Sequence, residues 1–367
     1  MRTKPLLEIE DLRVAFATDE GTVQAVDGVS FSMQNGEVLS IVGESGSGKS
    51  VTAMTVLGLT QGANARISGS VRYQGTELTT AGNEELQSIR GDRIAMVFQD
   101  PMSSFNPVQR IGDQIVEAIQ AHLDISNEEA RKKAVESLAS VGIPDAETRF
   151  RHYPFEFSGG MRQRAMIAMA LALEPAILIA DEPSTALDVT IQAQILELLQ
   201  QLNEEQGLSI ILITHDLGVV AEIADRVLVM YAGQIVEQGT LDEIFYDPQH
   251  PYTWGLMGSL TRLDQDRPDR LPQIGGSPPS LISPPTGCRF RPRCPHAFEK
   301  CSEPPALEQR LPTEQGHLDR CWLEPSQKKE VREIEGRIGL EAVTQGSPDG
   351  ARARASATRD VGEGEPV

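Results

Sequence analysis

The stretch Gly43-Glu44-Ser45-Gly46-Ser47-Gly48-Lys49-Ser50 constrains this chain more than any other, because it fits the pattern G-x-x-x-x-G-K-[ST]. Before it, Glu37-Val38-Leu39-Ser40-Ile41-Val42 reads as a short buried strand. After it, Lys49 to Leu59 reads as a helix that Gly58 does not interrupt badly. Glycines let the backbone turn its N–H groups inward around a polyanion, often with φ above zero. The helix N-terminus adds partial positive charge where phosphates would sit. Lys49 would reach the β- and γ-phosphates, and the Ser50 hydroxyl would hold Mg²⁺. Out of context the stretch is a Gly/Ser-rich turn; the strand before it and the helix after it make it a nucleotide site.

The chain has 367 residues, enough for one large domain with an extension or for two domains. No apolar run approaches the ~18–20 residues that span a bilayer. The longest, Ala165 to Leu173, is cut off by Glu174-Pro175. Met1-Arg2-Thr3-Lys4-Pro5 has no apolar segment behind it, so no secretory signal is visible and a cytosolic or peripheral location is expected. The net charge of −20 argues against a general nucleic-acid binder, which presents a basic face.

Residues 5–40 read as short strands, with Asn35-Gly36 as a turn. Phe16 falls in this region and reads first as a core aromatic. A further strand, Ile94 to Phe98, ends at Gln99. Residues 111–141 turn helical; Ser126 caps one helix, with Glu129 three residues on, and Gly142 and Pro144 close it. Ser158-Gly159-Gly160 opens a helix through Leu173. Two apolar runs follow: Ala176–Ala180, ending in Asp181-Glu182-Pro183, and Ile210–Thr214, ending in His215. Val189 to Glu205 reads as a helix between them. Such alternation implies a parallel sheet covered on both faces. Gly43, Gln99, Asp181 and His215 then all stand at the C-terminal ends of strands, the edge where open α/β sheets bind ligands. From about 240 the chain becomes rich in Pro and Gly. Residues 326–367 read as a disordered tail with a short helix near 328–340.

Asp181 closes an apolar strand, as a Mg²⁺-coordinating carboxylate does in phosphate-loop enzymes, and Glu182 could orient an attacking water. Ser158-Gly159-Gly160 offers a hydroxyl and free backbone N–H groups to an anion. With these stations in place, residues 5–240 resemble the ATP-binding-cassette ATPases. By that resemblance Phe16 stacks on adenine, and Gly43 to Ser50 wrap the phosphates. Ser50, Gln99 and Asp181 attend Mg²⁺, and Gln99 faces a membrane partner. Ser158, Gly159 and Gly160 form the signature motif, although Phe157 and Met161 depart from its commonest form. Glu182 is the catalytic carboxylate, and Ser184-Thr185-Ala186-Leu187-Asp188 is the loop that crosses a dimer interface. His215 contacts the γ-phosphate.

The implied fold is an α/β phosphate-loop ATPase of the cassette type: a mixed sheet core with an antiparallel β subdomain and an inserted helical subdomain at about 101–172, followed by an extension. The domains expected are an ATPase at 1–240, the extension at 241–325 and the tail at 326–367. Within the family, Phe98-Gln99-Asp100-Pro101-Met102-Ser103-Ser104-Phe105-Asn106-Pro107 and His250-Pro251-Tyr252-Thr253 look like the ATP-binding subunits of oligopeptide and dipeptide importers. The resemblance implies ATP and Mg²⁺, a second ATPase subunit (identical or related), two integral permease subunits, an extracytoplasmic solute-binding protein and a peripheral place on the cytoplasmic side of the inner membrane. No nucleic-acid partner is expected. Similar subunits serve nickel and glutathione import, and a soluble cassette ATPase without a permease is the alternative class.

Cys288, Cys294, Cys301 and Cys321 all fall in the extension. Four clustered cysteines in a cytosolic chain point to a metal or cluster more than to disulfides. The C-x₂₋₄-C spacing usual for structural zinc is absent, and four thiolates suit an iron–sulfur cluster. The resemblance implies a [4Fe–4S] cluster; four reduced thiols, or zinc with His296 or His317, remain open.

Overall fold

The computed structural model describes residues 4–62, 64–100, 104–183, 188–258, 274–311 and 316–334. Strands β1 (Leu7–Thr18) and β2 (Gly21–Met33) pair antiparallel. With β4 (Ala65–Tyr73) and β5 (Thr76–Glu77) they form a sheet in the order β2-β1-β4-β5. Residues 5–40, expected as several short strands, are thus mostly two long ones. Gly28, at φ 73°, explains the difference: Leu12 pairs with Val29 and Arg13 with Asp27, so Gly28 is bulged out and β2 continues past it. Asn35-Gly36 does turn, and carries the chain from this sheet into the next rather than closing a hairpin.

The second sheet holds five parallel strands: β3 (Val38–Val42), β6 (Ile94–Val97), β7 (Ile177–Asp181), β8 (Ser209–Thr214) and β9 (Arg226–Tyr231). Their order is β9-β3-β8-β7-β6, and antiparallel β10 (Gln234–Thr240) lies beyond β9. β3, β7 and β8 are buried at every residue. Alternate side chains enter two cores: Val38, Leu178, Ala180, Ile210 and Leu212 face one, and Leu39, Ile41, Ile179, Ile211 and Ile213 the other. Helices 159–171 and 189–206 and the helical segment 111–150 pack on the first face; helix Lys49–Val56 and the antiparallel sheet pack on the second. A parallel sheet needs such cover on both sides, which is why its strands read as unbroken apolar runs.

Ser126 accepts from Glu129 N at 3.3 Å and Glu129 Oε2 accepts from Ser126 N at 2.9 Å, forming the expected capping box of helix Asn127–Ser140. Helix Lys49–Val56 stops short of Leu59, because Gly58 adopts φ 64°.

Beyond β10, helices Leu241–Tyr246 and Pro251–Gly258 and residues of the segment 274–311 pack on one face of β9, against Val227, Val229 and Tyr231. Two short strands, β11 (Glu308–Gln309) and β12 (Leu318–Asp319), continue the sheet past β10. The helix expected near 328–340 runs Pro325–Ile334. Lys328 on it is buried and donates to Asp319 at 2.7 Å, a partner on β12 that local sequence does not reveal. The remainder of the expected tail, 335–367, lies outside the described residues.

Candidate nucleotide site

The phosphate loop leaves β3 at Gly43, whose φ is 151°. A Cβ there would stand 2.1 Å from the Met230 carbonyl oxygen. At Gly48, φ 103°, a Cβ would meet the Ala25 carbonyl oxygen at 2.4 Å. Both positions therefore demand glycine for space as well as for backbone angle. Lys49 folds back into the loop and donates to the carbonyls of Gly43 (2.8 Å) and Glu44 (3.1 Å). Burial pushes its ammonium below the usual lysine range, against the pull of Glu182, Asp181 and Glu44. Ser47 Oγ is buried with no hydrogen-bond partner, an orphan that a phosphate oxygen would satisfy.

Asp181 ends β7, and burial raises its carboxyl above the ordinary range while a hydrogen bond with Ser50 opposes that shift. Ser50 and Asp181, two of the residues expected to hold Mg²⁺, are thus in contact. Glu182 follows with φ 48°, a left-handed conformation uncommon for glutamate. Its N–H donates to the Ile213 carbonyl on β8 at 2.8 Å, which holds the turn. In that pose the carboxylate is shared: Gln99 Nε2 donates to Oε2 at 2.7 Å, and His215 Nδ1 lies 3.2 Å from Oε1. Gly43, Glu44, Ser45, Gln99, Glu182 and His215 line one cleft of about 760 Å³ at the C-terminal edge of the parallel strands.

Other expected residues lie apart from that cleft. Ser158 caps helix Gly159–Leu171, accepting from Met161 N at 3.2 Å; Ser158 and Gly159 are exposed, while Gly160 packs closely on Ile191. Asp188 caps helix Val189–Gln206 through Ile191 N at 3.0 Å. Ser184 to Leu187 lie outside the described residues. Phe16, half-buried on β1, pairs with Val23 and Ala65.

Sequence reasoning missed part of the cleft wall. Ile274, Gly276, Ser277, Pro278 and Arg293, all from the extension, face the phosphate loop. Glu44 N donates to the Tyr252 hydroxyl at 2.9 Å, and Arg293 grips the Glu44 carboxylate with two bonds of 2.6 and 3.0 Å. The signal available was an arginine beside a cysteine, Arg293-Cys294, within an irregular segment.

The four cysteines line one cavity, together with His250, Phe290, His296 and Trp322. None is in a disulfide. Burial pushes the thiols of Cys294 and Cys321 up to about 12 and raises that of Cys288 as well. Among the described residues, no three His, Cys, Asp or Glu side chains gather closely enough to hold a single metal ion. His317 sits elsewhere, with Nε2 2.7 Å from Glu237, so of the two histidines considered for zinc only His296 lines the cavity. No helix among the described residues is long and apolar enough to cross a membrane.

A phosphate loop opening between parallel strands, with a shared carboxylate facing it, defines a nucleotide-hydrolysing fold of the phosphate-loop class. The family model "ABC transporter" matches residues 26–185, and the model "Oligopeptide/dipeptide transporter, C-terminal region" matches 236–301. The oligopeptide transport ATP-binding protein OppD of Salmonella typhimurium is 51% identical over 317 residues, covering 86% of this chain and 93% of that protein. The dipeptide transport ATP-binding protein DppD of Bacillus subtilis is 50% identical over 320 residues, covering 87% and 95%. A dimeric post-hydrolysis structure of the ATP-binding cassette MJ0796, bound to ADP and Pi, superposes with a TM-score of 0.58 at 30% identity, covering 64% of this chain and 98% of that one. The chain is an ATPase of the ABC transporter family, in its oligopeptide/dipeptide branch.

Proposed function

We propose that this chain powers a peptide importer from the cytoplasmic side of the inner membrane, closing on a second ATPase subunit around ATP. The observation that carries the reading is the Glu182 carboxylate, held between Gln99 and His215 at the mouth of the phosphate loop. Lys49 and the loop N–H groups bind and orient the phosphates. Glu182 positions and polarises the attacking water, and His215 stabilises charge as it develops on the γ-phosphate. Ser50, Gln99 and Asp181 would hold Mg²⁺, which supplies charge neutralisation to the phosphate oxygens. Phe16 offers a ring to adenine.

Ser158 and Gly159 are exposed and separate from the chain's own cleft, which supports their serving the nucleotide of a partner subunit. Asp188 stands near the same face, capping the helix on which Gly160 packs. The dimeric state of the MJ0796 cassette is in keeping with this reading. Hydrolysis would then release the partner, and two permease subunits would convert closing and opening into transport of peptide delivered by a solute-binding protein. The peptide cargo rests on the names of the relatives. The functional division proposed is an ATPase over 1–240, carrying the helical subdomain at 101–172, and an extension over 241–325.

The reading proposed for the four-cysteine cavity is a [4Fe–4S] cluster on Cys288, Cys294, Cys301 and Cys321, since cysteine thiolates are its usual ligands and these four, two buried and two half-buried, line one cavity. Such a group would supply a rigid cross-link within the extension. Iron and sulfide analysis with visible absorption, on anaerobically purified chain, tests it; a colourless, iron-free chain would refute it.

The functional reading is tested by reconstituting the chain with its membrane subunits in vesicles. Vanadate-sensitive ATP hydrolysis stimulated by peptide and its binding protein is expected. Hydrolysis indifferent to peptide, with no membrane subunit co-purifying, would overturn it.

A further inference from the structure

The segment Cys288-Arg289-Phe290-Arg291-Pro292-Arg293-Cys294 has two faces. Its terminal cysteines line the cavity, and so does Phe290. The arginines next to those cysteines point the other way, into the ATPase. Arg293, whose side chain is 5% exposed, makes its two bonds to Glu44 inside the phosphate loop and also donates to Tyr231 Oη at 3.3 Å and to the Gly275 carbonyl at 2.9 Å. Arg289, also buried, donates to the Ala232 carbonyl and pairs with Asp27 on β2. The turn it holds continues into Gly233, whose N–H donates to the Ser47 carbonyl of the same loop at 2.8 Å. Phe290 packs between Tyr231, Tyr252 and His250, and Tyr252 accepts from Glu44 N. The phosphate loop is therefore gripped at Glu44 and at Ser47 by arms that both start one residue from a cysteine.

We propose that Arg293 is a positioning residue for the phosphate loop, and that order at the four-cysteine site is transmitted to ATP binding through the Arg293–Glu44 pair. The inference rests on the ATPase reading of the cleft. A buried guanidinium deprived of its carboxylate is strongly disfavoured, so the pair ties the loop to the extension rather than decorating it. Two N–H···O bonds in a fork fix the orientation of Glu44 as well as its distance. Because Glu44 is a member of the loop, moving Arg293 moves the N–H groups that meet the phosphates.

The test uses the full chain, with equilibrium binding of Mg²⁺-ATP and hydrogen exchange of the peptide covering residues 43–50. Arg293→Met and Glu44→Gln should each weaken ATP binding about tenfold, and the double variant should lose no more than either, as expected for two groups acting through one contact. Exchange across residues 43–50 should quicken in all three, and Arg293→Lys should recover part of the affinity. Cys294→Ser should quicken exchange in the same peptide, with thermal unfolding used to select folded material. Additive losses in the double variant would overturn the proposal. So would unchanged affinity in Arg293→Met, or unchanged exchange at residues 43–50 in folded Cys294→Ser. A wild-type chain that binds no ATP would instead overturn the ATPase reading.

Discussion

Glu182 Oε1 lies 3.2 Å from His215 Nδ1, across the ends of two adjacent parallel strands. β7 and β8 pair with Asp181 opposite Ile213, so their registered ends deliver the carboxylate and the imidazole to one place. The sheet, rather than a flexible loop, sets the distance.

Glu182→Gln keeps the size and the hydrogen-bonding capacity toward Gln99 but removes the charge proposed to polarise water. ATP turnover should fall about 100-fold or more, the range lost with a positioned general base, while ATP affinity holds. Phosphate release and equilibrium nucleotide binding measure the two. Substantial residual hydrolysis would remove Glu182 from that role.

If His215 stabilises charge growing on the γ-phosphate, as proposed, His215→Ala should lower kcat by about 10²–10³ with a small change in KM. A rise in KM with kcat intact would make His215 a binding residue instead.

Gly43→Ala tests the backbone demand of the loop. The methyl group would enter the space of the Met230 carbonyl at a φ of 151°. Steric overlap and backbone strain together should cost about 3 kcal/mol or more in chemical denaturation, and nucleotide binding should fall with it. A variant as stable as wild type, with full affinity, would contradict this geometry.

His250 makes acid weaken the extension. Burial holds its imidazole down at about 3, and Nδ1 accepts from Tyr252 N at 3.1 Å. Unfolded, the group titrates near ~6.5. Below that pH the unfolded chain takes up a proton that the folded chain refuses, so the stability is present above ~6.5 and is lost as pH falls toward 3. The slope approaches about 1.4 kcal/mol per pH unit. Urea unfolding followed from neutral pH to 3 should show it, and His250→Asn should flatten it. An equally steep profile in the variant would assign the acid sensitivity to other groups.

The phosphate loop, the buried strands and the Ser126 capping box were legible because each is a short pattern with a local cause. Gln99, Asp181 and His215 could be placed at one sheet edge once the strands were recognised. Arg293 and Tyr252 could not, since they reach Glu44 from 249 and 208 residues away, and long-range pairing leaves no periodic trace. The bulge at Gly28 and the early end of helix Lys49–Val56 were missed for a different reason. In each case one glycine backbone angle, rather than composition, decided where the element continued or stopped.

The short strand β12 has one more consequence. Leu318 and Asp319 occupy the hydrogen-bonding rim of β10, and Arg320 N donates to the Val236 carbonyl at 2.8 Å. Cutting the chain after residue 240 would bare that rim, offering unpaired amides and carbonyls to any passing strand. The excised cassette would tend to self-associate, so the downstream segment doubles as a guard against aggregation.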